Sequence, residues 1–193
     1  MEKAEQQNQR LWLWWLVFIA LVAFLILVFL QIDSLRKRAE VIQPGLYAVT
    51  EVIDGDTITV NMNGSTETVR MIGLDTPETH RPETPVQCYG EAASEYSKKL
   101  INGSKVRLQA DPLNTNRDRY NRLLRYVYLA DGTLVERNLI SEGYGFAYTQ
   151  FPFQKTDEFK AYETAAKTAN KGLWAVCEVL EQPNGIKQTA PAT

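Results

Sequence analysis

Residues 11–30, "LWLWWLVFIALVAFLILVFL", run for twenty positions without a charge, and this constrains the chain more than any other feature. At roughly 1.5 Å rise per residue a helix of that length covers about 30 Å, the hydrocarbon thickness of a bilayer. A cleavable signal peptide has a shorter apolar region followed by small residues, and here the run passes into "QIDSLRKRAE" instead. The reading is an uncleaved, single-pass anchor with the lipid bilayer as its partner. Trp12, Trp14 and Trp15 sit at one end, as interfacial aromatics do. The N-terminal flank 1–10 carries Lys3 and Arg10 and the following segment Arg36, Lys37 and Arg38, so flanking charge leaves the orientation nearly tied. We expect the remainder outside the cytoplasm.

Of 193 residues, those beyond the anchor suffice for one domain. Residues 31–45 read as a juxtamembrane linker ending in "QPG", residues 46–180 as the folded domain, and the polar tail 181–193 as disordered. Beyond residue 38 there are 16 basic and 20 acidic residues, so any polyanion must be held by a local cluster of cations rather than by the overall field. Cys88 and Cys177 match no zinc spacing. They form either a disulfide, if the domain faces an oxidising compartment, or two partly buried thiols.

Within the domain, "LYAVTEVIDGDTITVNMNGSTETVRMIGL" alternates with period two and carries turn signals at Asp54-Gly55 and Asn63-Gly64, which predicts three antiparallel strands. "GEAASEYSKKLING" predicts a helix with Ala92, Ala93, Tyr96 and Leu100 on one face and Gly103 just past its end. Two strands follow in "KVRLQAD" and "RLLRYVYLADG". Helices return in "VERNLISEGY" and "TDEFKAYETAAKTANKG", the latter with Thr156 as cap and Gly172 as stop. Five short strands with a helix after the third predict a five-stranded barrel of the OB type with about three packed helices.

Several chemistries are excluded. His80 is the single histidine, so a histidine cluster for zinc cannot form and a serine triad would rest entirely on it. "GYGF" never reaches the third glycine of a phosphate loop, and "DGDT" lacks the acids that an EF-hand needs. Oxygen chemistry with arginines remains. Asp54 and Asp56 flank Gly55, where the chain can turn sharply. In "VRMIGLDTPET", Asp75 and Glu78 stand around Pro77, which fixes its own φ and holds Thr76 extended. Carboxylates from both places suit a hard cation such as Ca²⁺ or Mg²⁺. Arg70, five residues before Asp75, is a phosphate-binding candidate. Tyr120, Tyr126 and Tyr128 lie at period two, as on a packed strand face.

These motifs, "VIDGDTITV", "VRMIGLDTPET", "CYGEAAS", "RDRYNRLLRYVYLADG" and "GLW", resemble the staphylococcal nuclease (thermonuclease) family in order and spacing over residues 46–176. The resemblance implies a Ca²⁺-dependent phosphodiesterase acting on DNA and RNA, single-stranded or frayed, with little sequence preference. It implies Asp56 and Asp75 as metal carboxylates with the Thr76 carbonyl as a third ligand and Asp54 behind them. It implies Glu78 as the residue that positions or deprotonates water, and Arg70 and Arg122 as phosphate clamps. Tyr120, Tyr148 and Arg119 are substrate-binding candidates. The chain departs from the family in "HRPETPVQ", which adds Glu83 where lysines are usual, and in Asn121 and Leu123, which replace glycines. The alternative is a non-catalytic module, binding nucleic acid or protein, on the same barrel.

Overall fold

The computed structural model describes residues 12, 14–16, 18–31, 45–79 and 85–192. The chain divides into two units, Met1–Glu40 and Val41–Thr193. The first contains an apolar helix, α1 (Trp14–Gln31), with mean hydropathy 2.6 over its 18 residues and none of its surface buried. It is long and apolar enough to cross a membrane, and length and composition fit a signal sequence as well. His80, Glu83, the flank 1–10 and most of the linker lie outside the described residues.

The second unit is built on β1 (Tyr47–Val52), β2 (Thr57–Met62), β3 (Ser65–Met71), β5 (Lys105–Gln109) and β6 (Leu123–Leu129), closed in the order β1-β2-β3-β6-β5. This is the expected five-stranded barrel. All contacts are antiparallel except β3 with β6, which run parallel with Val69 opposite Leu123 and Arg70 opposite Leu124. Asn63 and Gly64 have φ of 56° and 96°, the twist that a two-residue hairpin needs. Ile58, Val60, Val69, Val106, Leu108 and Val127 fill the interior at zero exposure. Truncating the largest of these to alanine costs about 2–5 kcal/mol.

Three helices of at least seven residues pack on the barrel: α2 (Gly90–Ile101), α3 (Val135–Ser141) and α4 (Thr156–Thr168). The face of α2 is rotated from expectation. Its buried positions are Gly90, Ala93, Ser94, Ser97 and Ile101, while Tyr96 and Leu100 pack at the margin. Small serines let the helix approach closely, which a search for large apolar residues overlooks. Thr156 does not cap α4. Lys155 holds that place, and the Thr156 hydroxyl donates to Phe153 O at 2.6 Å. Gly172 opens rather than ends a helix, the short α5 (Leu173–Val176), and a Cβ there would lie 2.2 Å from Gly143 O.

Two small sheets were not foreseen. β4 (Leu74–Asp75) pairs with β7 (Phe146–Ala147). The tail, expected to be disordered, forms a hairpin from β8 (Val179–Glu181) and β9 (Lys187–Thr189). Its turn is Asn184-Gly185, with Gly185 at φ 81° and Gln182 N–H donating to Ile186 O at 2.8 Å. Ordering comes from backbone partners on the barrel side, where Cys88 N–H donates to Ala190 O and Ala192 N–H to Val86 O, both at 2.8 Å. Cys88 and Cys177 are joined by a disulfide. Closing a loop of 89 residues stabilises the fold by about 4.6 kcal/mol in the chain-entropy model.

Candidate active site

One cleft of about 1270 Å³ on the barrel side is lined by Asp54, Asp56, Arg70, Asp75, Thr76, Glu78, Arg119, Tyr120, Arg122 and Tyr148. Every site residue expected from the sequence therefore faces it. Its floor is the meeting of two corners. The β1–β2 corner supplies Asp54 and Asp56 around Gly55, and the chain leaving β3 supplies Asp75, Thr76 and Glu78. The corners touch closely. A Cβ on Gly55 would fall 2.6 Å from Thr76 Oγ1 and 2.7 Å from Thr76 Cγ2, so only glycine fits. Asp56 is buried and ties the corners together: Oδ2 accepts Thr76 N–H at 3.0 Å and the Thr76 hydroxyl at 3.3 Å, while Oδ1 accepts the Thr57 hydroxyl at 2.9 Å.

Arg70 lies on β3 opposite Thr57 and reaches into this junction. Nη1 is 2.9 Å from Asp56 Oδ2 and donates to Leu74 O at 2.6 Å, and Nη2 donates to Asp75 Oδ1 at 2.8 Å. Burial by itself would lower the Arg70 guanidinium, but Asp56, Asp75, Asp54 and Glu78 more than offset it and the net shift is upward. Four carboxyl groups thus converge on one cation. The surplus shows on Asp54, which burial first and then the neighbouring Asp56 push up to about 7 from 3.8.

Such an all-oxygen pocket, with more carboxylate than guanidinium, is chemically suited to a hard divalent cation. Arg70 supplies part of the positive charge that these carboxylates attract. Among the described residues, no three acidic, cysteine or histidine side chains already form a cage. A cation would draw on Asp56 and Asp75 together with backbone oxygen such as the Thr76 carbonyl, with Asp54 behind them.

The opposite wall is the corner before β6. Asp118 organises it: Oδ1 accepts the N–H groups of Tyr120 and Arg122, both at 2.9 Å, and Oδ2 accepts Arg122 Nε at 2.7 Å. Asn121 stands at φ 65°, a conformation that asparagine tolerates, which accounts for its standing where the family has glycine. Tyr120 precedes β6 and is 64% exposed, whereas Tyr126 on the strand is buried, so these two tyrosines do not share a face. Arg119 and Arg122 lie over the Tyr120 ring at 4.8 and 5.4 Å. Tyr148 follows β7. It lines the same cleft, and burial raises its phenol, with Asp75 contributing.

Sequence reasoning missed Asp118 and Gln87. Asp118 was visible as an acid four residues before an arginine. Gln87 is buried, its Oε1 accepts Glu78 N–H at 2.9 Å and its own N–H donates to Glu78 O at 3.0 Å. No local pattern signals that pairing. Gln182, Ile186, Lys187 and Gln188 of the tail hairpin also line the cleft.

Fold and site together define a small five-stranded barrel carrying an acidic, arginine-bearing cleft at one side. The profile described as "Staphylococcal nuclease homologue" matches residues 68–176, and the chain belongs to this family. It is 39% identical over 159 residues to a thermonuclease of Staphylococcus intermedius, covering 80% of this chain and 91% of that one. It is 45% identical over 125 residues to two proteins of Bacillus subtilis (strain 168), the SPbeta prophage-derived endonuclease YokF and the endonuclease YncB. Those matches cover 64% of this chain but only 42% and 58% of the two relatives.

Proposed function

We propose that this chain is a membrane-anchored, Ca²⁺-dependent nuclease that hydrolyses phosphodiester bonds in DNA and RNA with little sequence preference. The observation that carries the proposal is the convergence of Asp54, Asp56, Asp75 and Glu78 on Arg70, in a cleft whose other wall presents Arg122. Family membership and relatives named thermonuclease and endonuclease support nuclease activity.

In this reading a phosphate enters between the two corners. Arg70 and Arg122 donate to its equatorial oxygens, where negative charge grows as water attacks phosphorus. Both guanidinium groups are fixed beforehand, by Leu74 O, Asp56 and Asp75 on one side and by Asp118 on the other, so little reorganisation is needed in the transition state. Glu78 takes the proton of the attacking water, the bond from phosphorus to the leaving sugar oxygen breaks, and that oxygen takes a proton from solvent water. Asp56, Asp75 and the Thr76 carbonyl would hold Ca²⁺, with Asp54 behind them. When bound, the ion supplies positive charge against the phosphate and orients the water. Tyr120, Arg119 and Tyr148 bind the flanking nucleotide. The exposed Tyr120 ring suits stacking on an unpaired base, which favours single-stranded or frayed substrate.

Helix α1 anchors the chain, and the Cys88–Cys177 bridge supports a domain facing an oxidising compartment outside the cytoplasm. The test is the full chain in detergent, incubated with DNA and with RNA in Ca²⁺ or in chelator. Cleavage in Ca²⁺ alone is expected, falling on the order of a hundredfold in Arg122→Ala and in Glu78→Gln. Binding without turnover, or undiminished cleavage in either variant, would overturn the reading. Protease protection in intact cells decides the orientation.

A further inference from the structure

The geometry points to the C-terminal hairpin and the Cys88–Cys177 disulfide as a clamp that positions Glu78 through Gln87, which makes Gln87 a positioning residue for the water-activating step. This rests on the role of Glu78 proposed above. One side chain and one N–H of Gln87 hold both backbone polar groups of Glu78, at 2.9 and 3.0 Å. The start of α2 closes on the same backbone, since a Cβ on Gly90 would lie 2.9 Å from Glu78 O. Gln87 is therefore the mould in which the Glu78 backbone sits.

The mould is itself held from behind by the tail. Cys88 N–H donates to Ala190 O and Ala192 N–H to Val86 O, both at 2.8 Å, and Gln87 forms an antiparallel bridge with Pro191. The Thr189 hydroxyl donates to Cys88 O at 2.7 Å. The disulfide fixes Cys88 to Cys177, two residues before β8. A second tie runs from Lys187 to Glu163 at 2.9 Å, and Glu163 accepts Ala147 N–H at 3.1 Å, on the strand paired with Leu74 and Asp75. The hairpin thus ties to the Asp75–Glu78 corner of the cleft at both of its ends. It lies beyond residues 68–176, the stretch that the family profile matches.

A base displaced by about 1 Å loses much of its catalytic advantage while substrate still binds to the arginines. The expected signature is a fall in kcat with KM nearly unchanged. The experiment measures kcat, KM and amide hydrogen exchange at Glu78 in the full chain, in Gln87→Ala, in Gln87→Glu, and after reduction of the wild type. Gln87→Ala is expected to lower kcat on the order of tenfold or more and to unprotect the Glu78 amide, with exchange at Val60 in the barrel unchanged. Gln87→Glu keeps the acceptor and restores Glu78 protection. Reduction reproduces the alanine phenotype in part, and serves alone if Gln87→Ala does not fold. Full kcat with an unchanged Glu78 amide in Gln87→Ala, or upon reduction, overturns the clamp, as does failure of Gln87→Glu to restore protection. A wild-type chain that cleaves nothing in Ca²⁺ would instead refute the nuclease reading, while hydrogen exchange still decides the clamp.

Discussion

Glu136 is wholly buried at the start of α3, and replacing it by glutamine provides a quantitative test of the electrostatics of this barrel. Its carboxylate accepts the Val127 N–H of β6 at 3.0 and 3.3 Å. Burial raises its pKa from 4.5 to about 8, against the lowering effect of backbone N–H groups and Lys155. The folded state therefore retains a proton that the unfolded chain has released between these two values. Folded protein binds more protons there, so stability is full below pH 4.5 and falls as pH rises towards 8. At pH 7 the gap amounts to roughly 2.5 pH units at about 1.4 kcal/mol each, on the order of 3 kcal/mol. Glutamine keeps an acceptor for Val127 and carries no charge. Urea unfolding of the unit Val41–Thr193, wild type against Glu136→Gln, should give curves that nearly coincide at pH 4.5 and separate by on the order of 3 kcal/mol at pH 7, with the variant more stable. Taking the difference cancels other titrating groups. A difference that stays flat with pH, or a variant that is less stable at pH 7, would refute the reasoning.

Other perturbations bear on the cleft. Gly55→Ala places a methyl 2.6 Å from Thr76 Oγ1 and should push the two acidic corners apart. Calorimetric Ca²⁺ titration is expected to show clear loss of affinity, with a stability cost of about 1–3 kcal/mol. Asp118→Ala removes three acceptor contacts from the Arg122 corner and should lower kcat on the order of tenfold or more, with KM for a short single strand rising as well. Arg122→Lys should not rescue this step, because an ammonium cannot bond Asp118 and a phosphate through one planar fork. Tyr120→Ala should weaken single-strand binding by about 1–3 kcal/mol in a fluorescence titration while Tyr120→Phe stays near wild type, since the ring face and not the hydroxyl would carry stacking.

The parts of this fold legible in the sequence are those that carry a side-chain pattern. Alternation and the Asn63-Gly64 turn marked the first hairpins, and the strand that holds Arg70 feeding into a proline-stiffened Asp75-to-Glu78 turn marked the acidic corner. Asp54, Asp56 and Arg122 came with their motifs, and all three face the cleft. What escaped was held by backbone. The β4–β7 ladder is two residues long and too short for any period. Gln87 grips Glu78 across nine residues with one amide and one N–H.

The tail illustrates the physical reason. "EQPNGIKQTAPAT" has the composition of a disordered segment, because it buries little apolar side-chain surface. Yet Asn184-Gly185 is among the strongest short hairpin signals, and it is flanked here by "VLEQ" and "IKQT". Composition asks whether a segment can support its own core. A hairpin joined to a barrel by a disulfide and several backbone hydrogen bonds does not need one, since the barrel supplies its partners and the cross-link lowers the entropy of bringing them together. Where a covalent tie falls two residues before a polar hairpin, the hairpin should be read as part of the structure. In this chain that rule leads from Cys88 to Gln87, and from Gln87 to the backbone of the acid at the centre of the cleft.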